Sequence, residues 1–276
     1  MTTLAVTGST GQLGGRVARA LADLSPRLVV RDPSRAPVID GTQVVGASYG
    51  DLGASTAALA GVDVLFMVSA AESPNRREEH RTFIEAAARA GVGHLVYTSF
   101  SGAAPDATFT LGRDHHDAEQ AIVGSGVPHT ILRDNFYLDV LPHFADEHGV
   151  IRGPAGTGRV AAVARADVAA VAGEVLRHPE DHVGSTYELT GPEALTLEEV
   201  AVRAGRVLGR GLTFVDETEE EAYASRRAAY DAEQWQLDAW VSTYTAIRDG
   251  DCSRVTDDVR TITGRRPLTL ERALLG

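Results

Sequence analysis

Thr3-Leu4-Ala5-Val6-Thr7-Gly8-Ser9-Thr10-Gly11-Gln12-Leu13-Gly14, near the start of the chain, is the stretch that decides the fold. Thr3 to Thr7 reads as a short buried strand, and a helix is expected over Gln12 to Leu24. Three glycines at three-residue intervals join them. Gly8 permits a tight turn, Gly11 lets backbone approach a pyrophosphate, and Gly14 allows helix to pack closely on strand. The helix N-terminus then offers unpaired N–H groups to an anion, with Ser9, Thr10, Gln12 and Leu13 completing the turn. A glycine trio alone is a weak signal. Placed directly at the first strand–helix junction it points to a dinucleotide, against the competing reading of a turn with no ligand.

Outward from this turn, strands and helices alternate. Strands are expected over Arg27 to Val30, at Val44 and Val45, over Val62 to Val68, His94 to Thr98 and His129 to Leu132. Helices are expected over Ala54 to Ala60, from Pro74 to a stop at Gly91, and over Asp114 to Val123. The fold class that follows is α/β, a Rossmann-type doubly wound parallel sheet, with a smaller, mainly helical C-terminal lobe. The domains are read as 1–150, binding the dinucleotide, and 151–276, a substrate-binding or lid lobe with some strands returning to the main sheet. In that second part Gly153 to Gly158 reads as a loop, Asp167 to Leu176 as a helix and Thr186 to Leu189 as a strand. Thr196 caps a helix to Leu208 with Glu199 at the capping-box position, and Glu217 to Asp249 reads as helical. Trp235, Leu237, Trp240, Val241 and Tyr244 fall at helical spacings. They form either a small packed core or an aromatic wall for a flat ligand.

Composition excludes several alternatives. The net charge is −12 with no offsetting basic run, which disfavours nucleic acid as a partner. No apolar run approaches the ~20 residues of a membrane span, and Met1-Thr2-Thr3-Leu4 carries no basic segment of a signal peptide. Cys252 is the sole cysteine, so no intramolecular disulfide forms and a cytoplasmic location is expected. All 26 basic residues are arginine, so neither a P-loop lysine nor a Tyr-x-x-x-Lys pair exists here. His178 and His182 are the only histidines spaced i, i+4, with Pro179 between them in what reads as a loop. No metal site is expected. A small-molecule acceptor is the expected partner, and the sequence leaves a homodimer open.

At the end of the second strand a dinucleotide-binding fold usually places an acid against the ribose. Arg31 stands there, followed by Asp32 and Arg35. Two guanidiniums suit a 2′-phosphate and hence NADP(H), whereas Asp32 would suit the free ribose of NAD. Asn135-Phe136-Tyr137 follows the sixth strand, at the sheet edge where ligands bind, and Tyr137 is the preferred substrate-facing phenol, with packing as the competing reading.

Several stretches in this order resemble the NmrA-like branch of the short-chain dehydrogenase/reductase superfamily. They are Val29 to Pro33, Leu59 to Asp63, Ala90 to Ser99, Gly126 to Arg133, Ala164 to Ala169 and Tyr187 to Gly191. Within that branch the chain is similar to the NADPH-dependent quinone and triphenylmethane-dye reductases. The resemblance implies that Asp51 and Leu52 meet the adenine end, and that Ser69, Ala70, Thr98 and Ser99 flank the nicotinamide ribose. It also implies that Phe100 faces substrate and that His115 and Ser99 join Tyr137 as catalytic candidates, although a surface position on a helix is the commoner explanation of a histidine such as His115. In the superfamily's Tyr-x-x-x-Lys position stand Phe109 and Arg113. An ordinary ketone reduced by hydride leaves a strongly basic alkoxide that needs such an acid, whereas a quinone leaves a phenolate that water can protonate. The implied function is hydride transfer from NADPH to a quinone-like or other flat, electron-poor acceptor. The alternative is an NADP(H)-binding redox sensor that acts through a protein partner.

Overall fold

The computed structural model describes residues 2–276. In chain order the first part comprises β1 (Leu4–Thr7), α1 (Gln12–Ala20), β2 (Arg27–Val30), β3 (Val44–Gly46), α2 (Leu52–Ala58), β4 (Val64–Met67), α3 (Arg76–Ala90), β5 (His94–Phe100), α4 (Thr110–Ser125) and β6 (His129–Asp134). There follow β7 (Val150–Gly153), β8 (Arg159–Val160), α5 (Arg165–Arg177), β9 (Thr186–Leu189), β10 (Leu195–Thr196), α6 (Leu197–Leu208), β11 (Thr213–Asp216), α7 (Glu219–Ala229), α8 (Gln234–Arg248), α9 (Asp258–Thr263) and α10 (Leu270–Leu275).

Seven strands form one sheet in the order β3-β2-β1-β4-β5-β6-β9. Pairing is parallel from β3 through β5. It continues so outward: Leu95 N–H bonds Pro128 O and Ser101 N–H bonds Asp134 O, while Ile131 and Asn135 reach Ser185 and Leu189 in the same ascending register. β1 and β4 are buried at every residue, as a strand covered on both faces must be. The strand order reverses between β1 and β4, so the crevice beyond the carboxyl ends of these strands is the ligand position of the fold.

Backbone contacts divide the chain into two compact units built from interleaved segments. The first contains residues 2–100, 114–133 and 168–187. Its core joins Leu65, Met67, Leu95 and Tyr97 of the central strands to Phe83 and Ile84 of α3 and Ile122 of α4. Each fully buried large apolar side chain there stabilises the fold by roughly 1.5–3 kcal/mol. α3 begins at Arg76 rather than Pro74, because Pro74 and Asn75 form a turn in which Arg76 N–H bonds Ser73 O. It ends as expected at Gly91, in the left-handed conformation with φ 73°.

The second unit contains residues 101–113, 134–167 and 188–276. It holds two small sheets that its loop-rich sequence did not announce, β10 with β8 antiparallel and β11 with β7 parallel. Thr196 and Glu199 form the expected capping box on α6. The expected single helical stretch over Glu217 to Asp249 is two helices, α7 and α8. Each opens on its own cap, Thr218 and Glu233 respectively, and extended backbone at Tyr230 separates them. Leu237, Val241 and Tyr244 are core, whereas Trp235 and Trp240 are only half-buried. Trp240 meets Tyr230 edge to face at 5.4 Å.

Candidate functional site

The glycine turn has the geometry its spacing requires. Gly8 adopts φ +62°, a conformation side chains rarely take. A Cβ on Gly14 would lie 2.4 Å from Gly8 O and 2.6 Å from Thr7 O, so only glycine lets α1 approach β1 this closely. Gly11 caps α1 with no side-chain bond, and the first turn carries no acid. Its N–H groups and dipole therefore favour an anion. Thr10, Gly11 and Gln12 are exposed, while Ser9 and Leu13 turn inward. Ser9 Oγ is buried without a hydrogen-bond partner among the described residues, an orphan at the mouth of the turn.

Beyond β2, Asp32 caps a short 3-10 turn: its Oδ1 accepts from Ser34 N–H at 3.0 Å and from the Ser34 hydroxyl at 2.6 Å. These bonds, with Arg35 nearby, hold its carboxyl below the usual range. Arg31 and Arg35 are exposed, and neither guanidinium takes part in an ion pair or hydrogen bond with another described residue. Asp51 caps α2 through Ala54 N–H at 2.9 Å, with half-buried Leu52 beside it.

The loop after β4 is held at both faces of one peptide residue. Ala70 N–H donates to His80 Nε2 at 2.8 Å, and Ala70 O accepts from Arg76 Nε at 2.9 Å. The neighbouring Ser69 N–H donates to Thr98 Oγ1 at 2.9 Å. Arg76, 4% exposed, also pairs with Asp114 and places Nη2 3.0 Å from Nε2 of His115. Guanidinium can only donate, so His115 Nε2 accepts and its proton sits on Nδ1, 3.0 Å from the Tyr97 hydroxyl. By the same logic His80 accepts at Nε2 and carries its proton on Nδ1, which is buried and unpartnered. Burial, then Arg76, pushes His80 down to about 3; burial, Arg76 and His80 push His115 well below its ordinary value. His115 is thus not the surface residue that its polar neighbourhood suggested. It is 7% exposed because the spacing 115, 118, 119, 122 turns one face of α4 inward.

Ser99 and Phe100 lie at the end of β5. Ser99 Oγ donates to Glu119 Oε1 at 2.6 Å, and Glu119 is clasped by Arg133 at 2.8 and 2.7 Å. Phe100 is buried, its ring 6.2 Å from that of His115. The first unit thus gathers the glycine turn, Arg31, Arg35, Asp51, Leu52, Ser69, Ala70, Thr98, Ser99, Phe100 and His115. Asn135, Phe136 and Tyr137 belong to the second. There Asn135 is fully engaged, donating to Cys252 O at 3.0 Å and accepting from Phe136 N–H at 2.8 Å. The Phe136 ring meets Phe109 edge to face at 5.2 Å. The Tyr137 hydroxyl donates to Asp134 Oδ2 at 2.7 Å.

A family model described as NAD(P)H-binding matches residues 8–179, more than half of the chain. The chain belongs to the NAD(P)H-binding family. It is 36% identical to quinone oxidoreductase 2 of Escherichia coli over 234 residues, covering 82% of this chain and 81% of that one. It is 37% identical over 266 residues to the (4-alkanoyl-5-oxo-2,5-dihydrofuran-3-yl)methyl phosphate reductase of Streptomyces griseus, covering 94% and 92%. Among solved structures it matches the E. coli quinone oxidoreductase complexed with NADPH at TM-score 0.89 and 31% identity, over 99% of both chains. It matches the Citrobacter sp. triphenylmethane reductase complexed with NADP(H) at 0.86 and 28%, again over 99% of both.

The residues of this turn fit a dinucleotide. The Gly14 cradle admits no Cβ, the α1 N-terminus is uncapped, and Ser9 Oγ awaits a partner. Sequence reading passed over Arg76, His80, Glu119 and Asp134. The i, i+4 spacing of Arg76 and His80 on an amphipathic helix was the available signal for the first two. An acid three residues before a phenol, directly after a strand, was the signal for Asp134.

Proposed function

We propose that the protein is an NADPH-dependent reductase of flat, electron-poor conjugated acceptors of the quinone or cationic-dye kind. One observation carries the reading furthest. The polar groups nearest the superfamily's catalytic positions are occupied internally, Ser99 by Glu119 and His115 by Arg76 and Tyr97. With Phe109 and Arg113 in place of a tyrosine–lysine pair, these groups do not supply the acid that a saturated ketone needs. A conjugated acceptor does not need it. Hydride delivered to a quinone or an acyl-substituted unsaturated lactone leaves a delocalised oxyanion, and hydride delivered to a triphenylmethane cation leaves a neutral molecule. Relatives named for quinone, triphenylmethane and oxo-dihydrofuran compounds support this reading.

NADPH supplies the hydride. The glycine turn would hold its pyrophosphate, Arg31 and Arg35 its 2′-phosphate, and the Ser69–Ala70 loop, braced by Arg76, His80 and Thr98, its nicotinamide ribose. Asp32 is already committed to its own turn, which supports the phosphate-bearing cofactor.

The test is NADPH oxidation with a benzoquinone, a cationic triphenylmethane dye, an acyl-substituted unsaturated lactone and a saturated ketone. Turnover is expected with at least one of the first three and negligible with the ketone. Efficient, reversible oxidation of a secondary alcohol overturns the reading. Tight NADPH binding without oxidation by any acceptor replaces it with a redox sensor that acts on a protein partner.

A further inference from the structure

Val68 is the first residue beyond β4, and both of its backbone groups are held by hydroxyls. Its N–H donates to Thr7 Oγ1 at 2.9 Å, and its carbonyl oxygen accepts from the Tyr49 hydroxyl at 2.6 Å. A carbonyl can only accept, so Tyr49 gives its one hydrogen there, and its oxygen accepts from Thr7 Oγ1, 2.6 Å away. Thr7 has Phe66 O as a second acceptor, further off at 3.3 Å. The groups close a ring, from Val68 N–H through Thr7 and Tyr49 to Val68 C=O, in which each bond polarises the next.

The ring lies where the strand order reverses: Thr7 ends β1, Val68 follows β4, and Tyr49 lies beyond β3. It also borders the glycine turn, because a Cβ on Gly8 would lie 3.0 Å from Val68 Cβ. The Tyr49 ring stacks on Phe83 of α3 at 4.1 Å with 19° between the planes. α3 is the helix whose Arg76 and His80 hold Ala70. The β4–β5 ladder stops at Met67 with Tyr97. Beyond it, five of the six backbone groups of Val68, Ser69 and Ala70 are still met, by side chains of Thr7, Tyr49, Thr98, His80 and Arg76. All of these residues lie in the first unit. A connection leaving a sheet edge can leave such groups to water. Here side chains from separate parts of the chain fix it in place.

We propose that Tyr49 and Thr7 are positioning residues for the dinucleotide. Acting through Val68, their hydroxyls set the spacing between the glycine turn and the Ser69–Ala70 loop before the cofactor arrives. This rests on the cofactor placement of the reading above, in which the turn holds the pyrophosphate and the loop meets the nicotinamide ribose. Both hydroxyl hydrogens are committed within the ring, so neither acts by donating to a ligand. A cleft already in shape loses less freedom on binding, so the ring is felt in the affinity for the whole dinucleotide. The adenosine half alone does not span the spacing that the ring sets.

The test compares a whole cofactor with half of one. Dissociation constants are measured for NADPH by fluorescence titration and for 2′,5′-ADP by its displacement of NADPH. The proteins are the unmodified chain, Tyr49→Phe, which keeps the stack on Phe83, Thr7→Val, which keeps the shape, and Thr7→Ser, which keeps the hydroxyl. The NADPH constant should rise roughly tenfold in Tyr49→Phe and Thr7→Val and stay within about threefold in Thr7→Ser. The 2′,5′-ADP constant should move by less than about twofold in all three. Equal losses for both ligands in a folded variant, no loss for either, or a Thr7→Ser as weak as Thr7→Val overturns the proposal alone. Amide exchange decides the matter if the variants do not fold. In the unmodified, cofactor-free protein Val68, Ser69 and Ala70 should exchange as slowly as Leu65 within β4. Fast exchange there that slows only when NADPH is added means that the cofactor shapes the loop, and it overturns the proposal. Failure of the unmodified protein to bind NADPH overturns the cofactor reading and this proposal with it.

Discussion

Arg76 Nη2 lies 3.0 Å from Nε2 of His115, both side chains are buried, and the pair fixes the histidine as a neutral Nδ1–H tautomer. An imidazole under a guanidinium cannot gain a proton near neutrality, so His115 is a structural acceptor and not an acid. His115→Ala should change kcat for any acceptor by less than about threefold, and turnover should be flat between pH 5.5 and 7.5, where a free histidine titrates. Stability should instead fall by on the order of 2 kcal/mol, because the variant strands a guanidinium N–H. A rate that drops as pH rises through that window assigns the proton to histidine after all.

Arg76 and His80 act on one residue, Ala70, from opposite sides of its backbone. If that loop flanks the nicotinamide ribose, Arg76→Lys should raise KM for NADPH roughly tenfold while leaving KM for the acceptor nearly unchanged. Lysine keeps the charge but cannot donate to Ala70 O, Asp114 and His115 in one plane. Equal changes in both constants, or none, would separate the loop from the cofactor.

If Arg31 and Arg35, exposed while Asp32 is occupied by Ser34, meet the 2′-phosphate, they set the cofactor choice. Each charge-assisted contact to phosphate is worth ~1.5–3 kcal/mol, so NADPH should bind at least tenfold more tightly than NADH. Arg31→Ala should erase most of that difference in a titration of cofactor fluorescence. Identical curves for the two cofactors would return the ribose to Asp32.

Acid should unfold the protein through its buried histidines. Both His80 and His115 have folded values depressed below 6.5, so the unfolded chain binds protons first. Their stabilisation is complete above about pH 6.5 and is lost as pH falls towards the folded value, about 3 for His80. Asp134 works in the opposite sense: its folded value is raised to about 8, so its contribution is complete below pH 4 and is lost as pH rises through 8. Urea titrations should therefore show Asp134→Asn gaining on the parent protein by ~1 kcal/mol or more between pH 5 and 8. A difference that does not grow across this range removes the buried neutral acid.

Gly14→Ala tests the cradle itself. Its Cβ would press on two backbone carbonyls that cannot rotate away, and overpacking of that sort typically costs ~1–3 kcal/mol. NADPH affinity should fall more than tenfold together with a lowered Tm. Unaltered binding would mean that the turn does not cradle the dinucleotide.

The sequence by itself determined what depends on near neighbours along the chain. The β1–turn–α1 unit, the stop of α3 at Gly91 and the Thr196–Glu199 capping box each rest on hydrogen bonds and φ values within a few residues. The alternation of strands and helices was legible as well, whereas the strand order rests on distant pairings such as Leu4 with Val64. The inward face of α4 was legible too, in the spacing of His115, Ala118, Glu119 and Ile122, although a histidine pair next to an aspartate disguised it as solvated surface. Tertiary structure alone decided which polar groups lose water and what replaces it. His115 finds Arg76 across 39 residues, Ser99 finds Glu119 across 20, and Asp167 finds Arg265 across 98. Asp134, in the same unit as Asp167, finds only the phenol three residues on. Desolvation and pairing are sums over everything packed around a group, so two aspartates that look alike in a sequence acquire different surroundings once the chain has folded, Asp167 a guanidinium and a backbone N–H, Asp134 a phenol on one oxygen only.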